Sequence, residues 1–316
     1  VPPLRECTDK VIAILCADIH LSPHPPRARR DEDKYKGWYW AMKKPLNDLA
    51  KLSNHYDAPI LCAGDIFDHW KAEPVLVNFA LQYLPEMYAV PGQHDLPLHN
   101  IELIEKSAFW TMCLADRIIP VITDEPVMVK NDIVLHGFPW GKKLSPVEKP
   151  IKGKHHVAIV HDYFWRKGHT HPKAPKSHHM NQYKELAEGY HAVVFGDNHK
   201  GFKTNLNGVP TWNCGTLMRR KQDEKEYMPR IGLLCESGQI LTHNVSTKNE
   251  RFTSTNDDFN VGVLRKSTED LADLMHGLKE AQAREFDYAE AVEFLMTRYS
   301  VKNPVRKHLM EALDRG

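Results

Sequence analysis

Short apolar runs punctuate the chain from its N-terminal end to Phe195. Val11–Ala17, Pro59–Ala63, Met87–Val90, Ile133–Leu135, Val157–Val160 and His191–Phe195 are three to seven residues long, mostly rich in Val, Ile and Leu, with turn formers close by. Continuous apolar runs of that length predict strands buried on both faces, Ile133–Leu135 being the shortest. Helix-length stretches lie between the early runs. Lys36–Ser53 carries Trp40, Met42, Leu46, Leu49 and Leu52, and Glu73–Leu84 is the next. Strand, helix, strand is an α/β pattern.

The pattern then changes. Val209–Cys214, Arg230–Cys235 and Ile240–Val245 follow one another without room for crossover helices. They predict antiparallel strands of a second sheet, giving two sheets with helices outside. Ser246–Phe259 is rich in Thr, Ser, Asn and Asp and reads as a linker. Beyond it, Asn260–Leu264 reads as one more strand. Ser267 with Asp270 forms a capping-box pattern ahead of Leu271, Leu274, Met275 and Leu278 at helical spacing. Helices are expected over Glu285–Arg298 and over Pro304–Asp314, the last capped by Asn303. The expected organisation is a catalytic domain over residues 1–245 and a small cap or helical element over 246–316.

Composition narrows the class only a little. Hydrophobic residues at 42% and charged residues at 26% are ordinary for a soluble protein. A formal net charge of +1 means that any footprint for nucleic acid must be local. The six cysteines have no C-x-x-C spacing, and Cys16, Cys62 and Cys235 sit in apolar runs, so a reducing, cytoplasmic setting is expected. The first apolar run is short and preceded by acidic residues, which fits neither a signal peptide nor a membrane span.

Chemistry enters where the runs end. Five sites share one format, an apolar run followed by residues that ligate metals: Cys16-Ala17-Asp18-Ile19-His20, Ala63-Gly64-Asp65-Ile66-Phe67-Asp68, Pro91-Gly92-Gln93-His94-Asp95, Val160-His161-Asp162 and Phe195-Gly196-Asp197-Asn198-His199. Singly, a strand-terminal Asp is often a turn or helix cap and a loop His a surface residue. Together, carboxylates and imidazoles from five strand ends suffice to enclose two cations, which activate a water and neutralise a phosphoryl transition state.

In this order the motifs resemble D-x-H, G-D-x-x-D, G-N-H-D, H and G-H-x-H of the calcineurin-like metallophosphoesterases, over about Val11 to Val245. The resemblance implies a four-layer α/β fold, two mixed sheets packed face to face with helices outside. It implies that one cation takes Asp18, His20, Asp65 and His199, and the other Asp65, Gln93, His161 and Asp197, with Asp65 bridging. His94 would bind no metal but assist the leaving oxygen or stabilise the transition state, with Asp95 orienting it. Two positions depart from the pattern. Gln93 replaces the usual Asn and Asp197 the first His of the last motif. Both still coordinate, and the added oxygen ligand tilts the preference to manganese, with magnesium second.

Gly168-His169-Thr170-His171 is a literal G-H-x-H, but no apolar strand precedes it, so the pair is expected in a polar loop beside the mouth. Three loops near the expected mouth are basic: Lys142, Lys143, Lys149, Lys152 and Lys154; then Arg166, Lys167, Lys173 and Lys176 with Phe164 and Trp165; and Arg27, Arg29 and Arg30. Each reads either as a solvated face or as a contact to a phosphate backbone and stacked bases.

Ala63–Asp68, Pro74, Gly92–Asp95 with Pro97, and Asn213-Cys214-Gly215-Thr216-Leu217 with Arg219 resemble the nuclease branch that holds the double-strand-break-repair exonucleases and their bacterial and phage relatives. That likeness implies a DNA exonuclease or endonuclease, DNA as partner and a coiled-coil ATPase as a further one. The stripe Phe286, Ala289, Val292, Leu295 and Met296 either docks on such an ATPase or packs on its own domain. The alternatives are a phosphodiesterase or phosphatase acting on a small nucleotide, lipid or other ester, and a scaffold without catalysis. Gly64–Trp70 is also similar to enzymes that hydrolyse a nucleotide–lipid-sugar pyrophosphate, but those carry Arg where His94 stands.

Overall fold

A computed structural model describes residues 9–29, 37–171, 174–248 and 250–252. The chain divides into units Val1–Thr253 and Ser254–Gly316. The second lies outside the described residues, and with it the expected strand and helices after Phe259 and the stripe from Phe286 to Met296.

The predicted apolar runs form strands: β1 (Val11–Cys16), β2 (Ile60–Cys62) and β3 (Met87–Ala89), then β4 (Ile118–Pro120), which the sequence pattern did not single out. Two helices cover the early crossovers, α1 (Trp38–Tyr56) and α2 (Pro74–Tyr83), with Pro74 in the first turn, where its missing N–H costs nothing. A third, α3 (Ala108–Leu114), is capped by Ser107. The chain continues through β5 (Val127–Val129), β6 (Ile133–Phe138), β7 (His155–His161) and β8 (Ala192–Gly196). The shortest predicted run thus lies in a strand of six residues. Last come β9 (Phe202–Leu206), β10 (Val209–Asn213), β11 (Arg230–Cys235) and β12 (Ile240–Asn244).

There are two mixed sheets of six strands, ordered β12-β11-β1-β2-β3-β4 and β5-β6-β7-β8-β10-β9. The late strands do not share a second sheet as expected. β10 lies parallel to β8, whereas β11 pairs antiparallel with β1 and carries β12 at the edge of the first sheet. Such pairing joins strands far apart in sequence and leaves no local signature.

Each layer follows from side-chain alternation. Ala13, Leu15 and Ala17 of the first sheet pack with Leu135, Val157, Ile159 and Val194 of the second, forming the inter-sheet core. A register shift between Val11 and Ala13 turns Ile12 to that side too. Ile14 and Cys16 face the other way, onto Met42, Leu46 and Leu49 of α1. The outer face of the second sheet, Val160, Val193 and Phe195, is covered by Phe164, Tyr183 and Ala187 from a segment with short 3₁₀ turns at Lys176–His178 and Met180–Tyr183. Cys16, Cys62 and Cys235 are buried, as their apolar context predicts. No helix among the described residues is long and apolar enough to cross a membrane.

Candidate metal centre

Parallel pairing of β1, β2 and β3 aligns three strand ends, and that of β7 and β8 aligns two more. Direct bonds join the two groups across the sheets. The Asp197 N–H donates to Asp18 Oδ1 (3.0 Å), and His161 Nδ1 lies 2.6 Å from the Ala63 carbonyl oxygen. The chain leaves the strands through left-handed residues, Asp18 (φ 51°), His20 (50°), Asp65 (54°) and Asp197 (76°). Asp and His are among the side chains that enter this region most readily. Gly92 has no alternative, because a Cβ there would overlap the Asp65 carboxylate and the His161 ring.

The turns bring all seven sequence-predicted ligands, Asp18, His20, Asp65, Gln93, His161, Asp197 and His199, into one linked cluster. His20 Nε2 lies 3.0 Å from His199 Nε2. Asp65 Oδ2 stands 3.7 Å from His20 Nε2 and 3.5 Å from His161 Nε2, a position between the two proposed cation sites. Gln93 Oε1 is 2.6 Å from His161 Nε2, and Gln93 Nε2 donates to Asp197 Oδ1 (2.8 Å). Asp18, His20 and His199 hold donor atoms all within 4.8 Å of one another, as do Asp18, Asp65 and His161. His94 forms such a set with His20 and Asp65. Its ring, however, is exposed and meets the His20 ring edge-on at 5.0 Å. Its Nδ1 is taken by the Asp68 carbonyl at 2.7 Å, and its own N–H donates to Asp65 Oδ1 (3.0 Å).

Electrostatics favour a cation here. Burial pushes Asp18 up to about 7, although His199 and His161 pull it back. Its Oδ2 is buried without a hydrogen-bond partner. Burial would raise Asp65 too, but His161, His20 and His94 hold it well below the usual carboxylate range. Burial lowers His20 to about 4, against the pull of Asp68 and Asp65. For His161 burial acts downward, yet Asp65, Asp197 and Asp18 keep it well above its ordinary value. Asp65 is thus paired with the His161 imidazolium, whereas Asp18 is disfavoured as an anion by burial and its Oδ2 has no partner. Divalent cations satisfy both conditions with the same oxygen and nitrogen donors.

A second layer aims the rings. His161 Nδ1 bonds the Ala63 carbonyl, His20 Nδ1 faces Asp68 Oδ1 at 3.4 Å, and His199 Nδ1 lies 3.1 Å from Glu224 Oε1. Each contact leaves Nε2 for the centre. Glu224 was not singled out in the sequence. Its other oxygen accepts the N–H groups of Arg220 (2.6 Å) and Lys221 (2.9 Å); burial would raise it, but the His199 contact and these bonds lower it to about 2. Asp68 also pairs with Arg220, at 2.7 Å.

Several expectations need correction. Asp95 does not orient His94. It is fully buried and accepts the N–H groups of Phe67 (2.9 Å), Gly92 (3.0 Å) and Ile66 (3.2 Å), tying the second and third ligand turns together. The Asp68 carbonyl orients His94 instead. Asp162 anchors the following segment through His178 Nδ1 and the Tyr183 hydroxyl, each at 2.6 Å. Phe164 is no stacking platform, since it is buried against Phe195 with ring centroids 4.2 Å apart. Arg29 is buried and pairs with Glu250 at 3.3 Å, and Arg219 pairs with the same carboxylate at 2.6 Å, so both hold structure. Lys142 and Lys154 pair with Asp124 and Asp132.

A cleft of about 650 Å³ opens over the centre. Asp65, His94, His199 and Arg230 line it, together with Lys200 and Lys221. His169 and His171 line it as well, as a polar loop beside the mouth, and among the described residues neither belongs to a set of converging metal donors.

The model of one family, calcineurin-like phosphoesterase, matches residues 13–201, more than half of the chain and a span that contains all seven candidate ligands. A search of curated proteins returns no match in sequence. The fold is similar to the TT1561 protein of Thermus thermophilus at 12% identity, covering 76% of this chain and 100% of that one with a TM-score of 0.44. It is also similar to an archaeal phosphodiesterase at 10% identity, 73% and 98% coverage and a TM-score of 0.36. A third likeness is to the NAD nucleotidase of Haemophilus influenzae, at 15% identity, 78% and 52% coverage and a TM-score of 0.41. These likenesses are too distant to speak to substrate, and the assignment rests on the family model: the chain belongs to the calcineurin-like phosphoesterases.

Proposed function

We propose that this phosphoesterase is a DNA nuclease that cleaves phosphodiester bonds, with Asp18, His20, Asp65 and His199 holding one cation and Asp65, Gln93, His161 and Asp197 the other. The cations, when bound, supply a water of lowered pKa and positive charge beside the phosphoryl oxygens. The chain supplies the rest. His94 is held at its backbone N–H by Asp65 and at Nδ1 by the Asp68 carbonyl, which leaves Nε2 to meet the leaving oxygen. Oxygen ligands at Gln93 and Asp197 favour manganese, with magnesium second.

The observation that supports a polymeric substrate is the cleft. The exposed Lys200 and Lys221 and the rings of Tyr163 and Tyr227 line the same cleft as Asp65, His94 and His199, with Asp223 as an acidic neighbour. Lysines at such positions meet phosphates flanking the scissile one, and rings of this kind offer stacking faces. Two assays test the reading. One follows manganese-dependent cleavage of a short DNA beside hydrolysis of bis(p-nitrophenyl) phosphate; the other follows DNA binding as salt rises. The expected result is cleavage of both esters, with DNA affinity falling steeply with salt and less steeply in the K200A/K221A variant. Hydrolysis of the nitrophenyl ester with no salt-sensitive DNA binding would reassign the enzyme to small phosphodiesters.

A further inference from the structure

The two positions at which this chain departs from the family's ligand pattern touch each other. Gln93 stands where relatives have Asn and Asp197 where they have His, and the Gln93 amide nitrogen donates to Asp197 Oδ1 at 2.8 Å. The other end of the same amide, Oε1, lies 2.6 Å from His161 Nε2. We propose that Gln93 and Asp197 form one coupled unit that builds the second cation position, with Asp197 acting as a positioning residue for the Gln93 carbonyl oxygen.

An amide's two ends have nearly the same shape, so the side chain alone does not decide which end faces the centre. A carboxylate does decide it, because it only accepts hydrogen bonds. By binding the NH₂ end, Asp197 leaves Oε1 directed at His161 Nε2, beside Asp65, which lies 3.5 Å from that nitrogen. Reach matters as well. Gln is longer than Asn by one methylene, about one C–C bond of 1.5 Å, and Asp is shorter than His. One arm has lengthened and the other shortened, so they meet at hydrogen-bond distance. Asn at position 93 would stop short of Asp197, and His at position 197 would enter the space of the Gln93 amide. Each exchange alone breaks the unit; both together restore the family's arrangement.

The inference rests on the metal-centre reading and is independent of the substrate. Its test is manganese binding by titration calorimetry, with bound metal counted after dialysis, on the full chain and on Q93N, D197H and the double variant. Each single variant should weaken one of the two cations by roughly 10–100-fold, the usual effect of losing a residue that orients a ligand, and leave the other cation unchanged. The double variant should recover most of the loss. Losses that multiply in the double variant, or a single variant with both affinities intact, would overturn the coupling. A wild-type chain that binds fewer than two cations would overturn the metal-centre reading itself, and the coupling with it.

Q93E covers the case in which the exchanges disturb folding, since it keeps the side chain's shape. If Gln93 were only a ligand, a carboxylate would bind the cation more tightly. As half of a pair it loses the donor facing Asp197, so the coupling predicts weaker binding. Tighter binding in Q93E would also overturn the proposal.

Discussion

Glu224 Oε1 lies 3.1 Å from His199 Nδ1, while its second oxygen accepts the backbone N–H groups of Arg220 and Lys221. One carboxylate therefore fixes the tautomer of a candidate ligand and the turn that carries the carboxylate itself. Glu224→Ala frees the His199 ring and leaves two backbone donors without their acceptor. Metal affinity should fall by roughly 10–100-fold, read by competition with a chelator, and Glu224→Gln should recover part of it through the retained oxygen. Unchanged affinity in the Ala variant would show that His199 is held by other contacts.

Asp95 gives a different signature. Its three backbone bonds join the turns after β2 and β3, and it is fully buried. Asp95→Ala leaves three N–H groups unanswered in the interior, at about 1–3 kcal/mol for each unsatisfied group. The expected outcome is a large fall in melting temperature, in metal-free protein as well as loaded. Asp95→Ala with native melting but slower turnover would instead return Asp95 to a direct role in catalysis.

The third expectation concerns the leaving group. His94 is exposed over the centre, and its Nδ1 is held by Asp68 O. His94→Ala should slow DNA cleavage by roughly 10²–10⁴, the usual worth of a positioned acid. Hydrolysis of bis(p-nitrophenyl) phosphate should suffer much less, because nitrophenolate leaves without a proton. Metal content should stay the same. Equal fractional losses on both esters would rule out the general-acid role.

The convergence of the candidate ligands was legible because these residues sit at strand ends, where an apolar run stops and polar donors begin within two or three residues. Asp18, Asp65, Gln93, His161, Asp197 and His199 all carry that local mark. Position relative to a strand also separated His199 from the literal motif at His169 and His171. What failed was whatever depends on burial or on distant pairing. Arg29 reads as a basic loop residue, but the structure buries it between Trp38 and Phe252, with ring centroids 5.4 and 5.5 Å from its guanidinium carbon. Phe164 beside Arg166 reads as a stacking platform and is core. Glu224 was missed because no strand or spacing links it to His199; only the fold brings the two together. The same reason hid the place of β11, whose partner β1 lies at the other end of the described chain, and with it that of β12, which pairs with β11.

The central claim is that Asp65 joins two cations into one hydrolytic centre. The measurement that bears on it most directly is metal content per chain, taken together with turnover of bis(p-nitrophenyl) phosphate, for the wild type and for Asp65→Asn after manganese loading and dialysis. The wild type should hold two manganese ions and turn over in a metal-dependent way. The variant should lose turnover and bound metal, with folding retained. An Asp65→Asn protein that keeps its metal and turns over at the wild-type rate would contradict the claim.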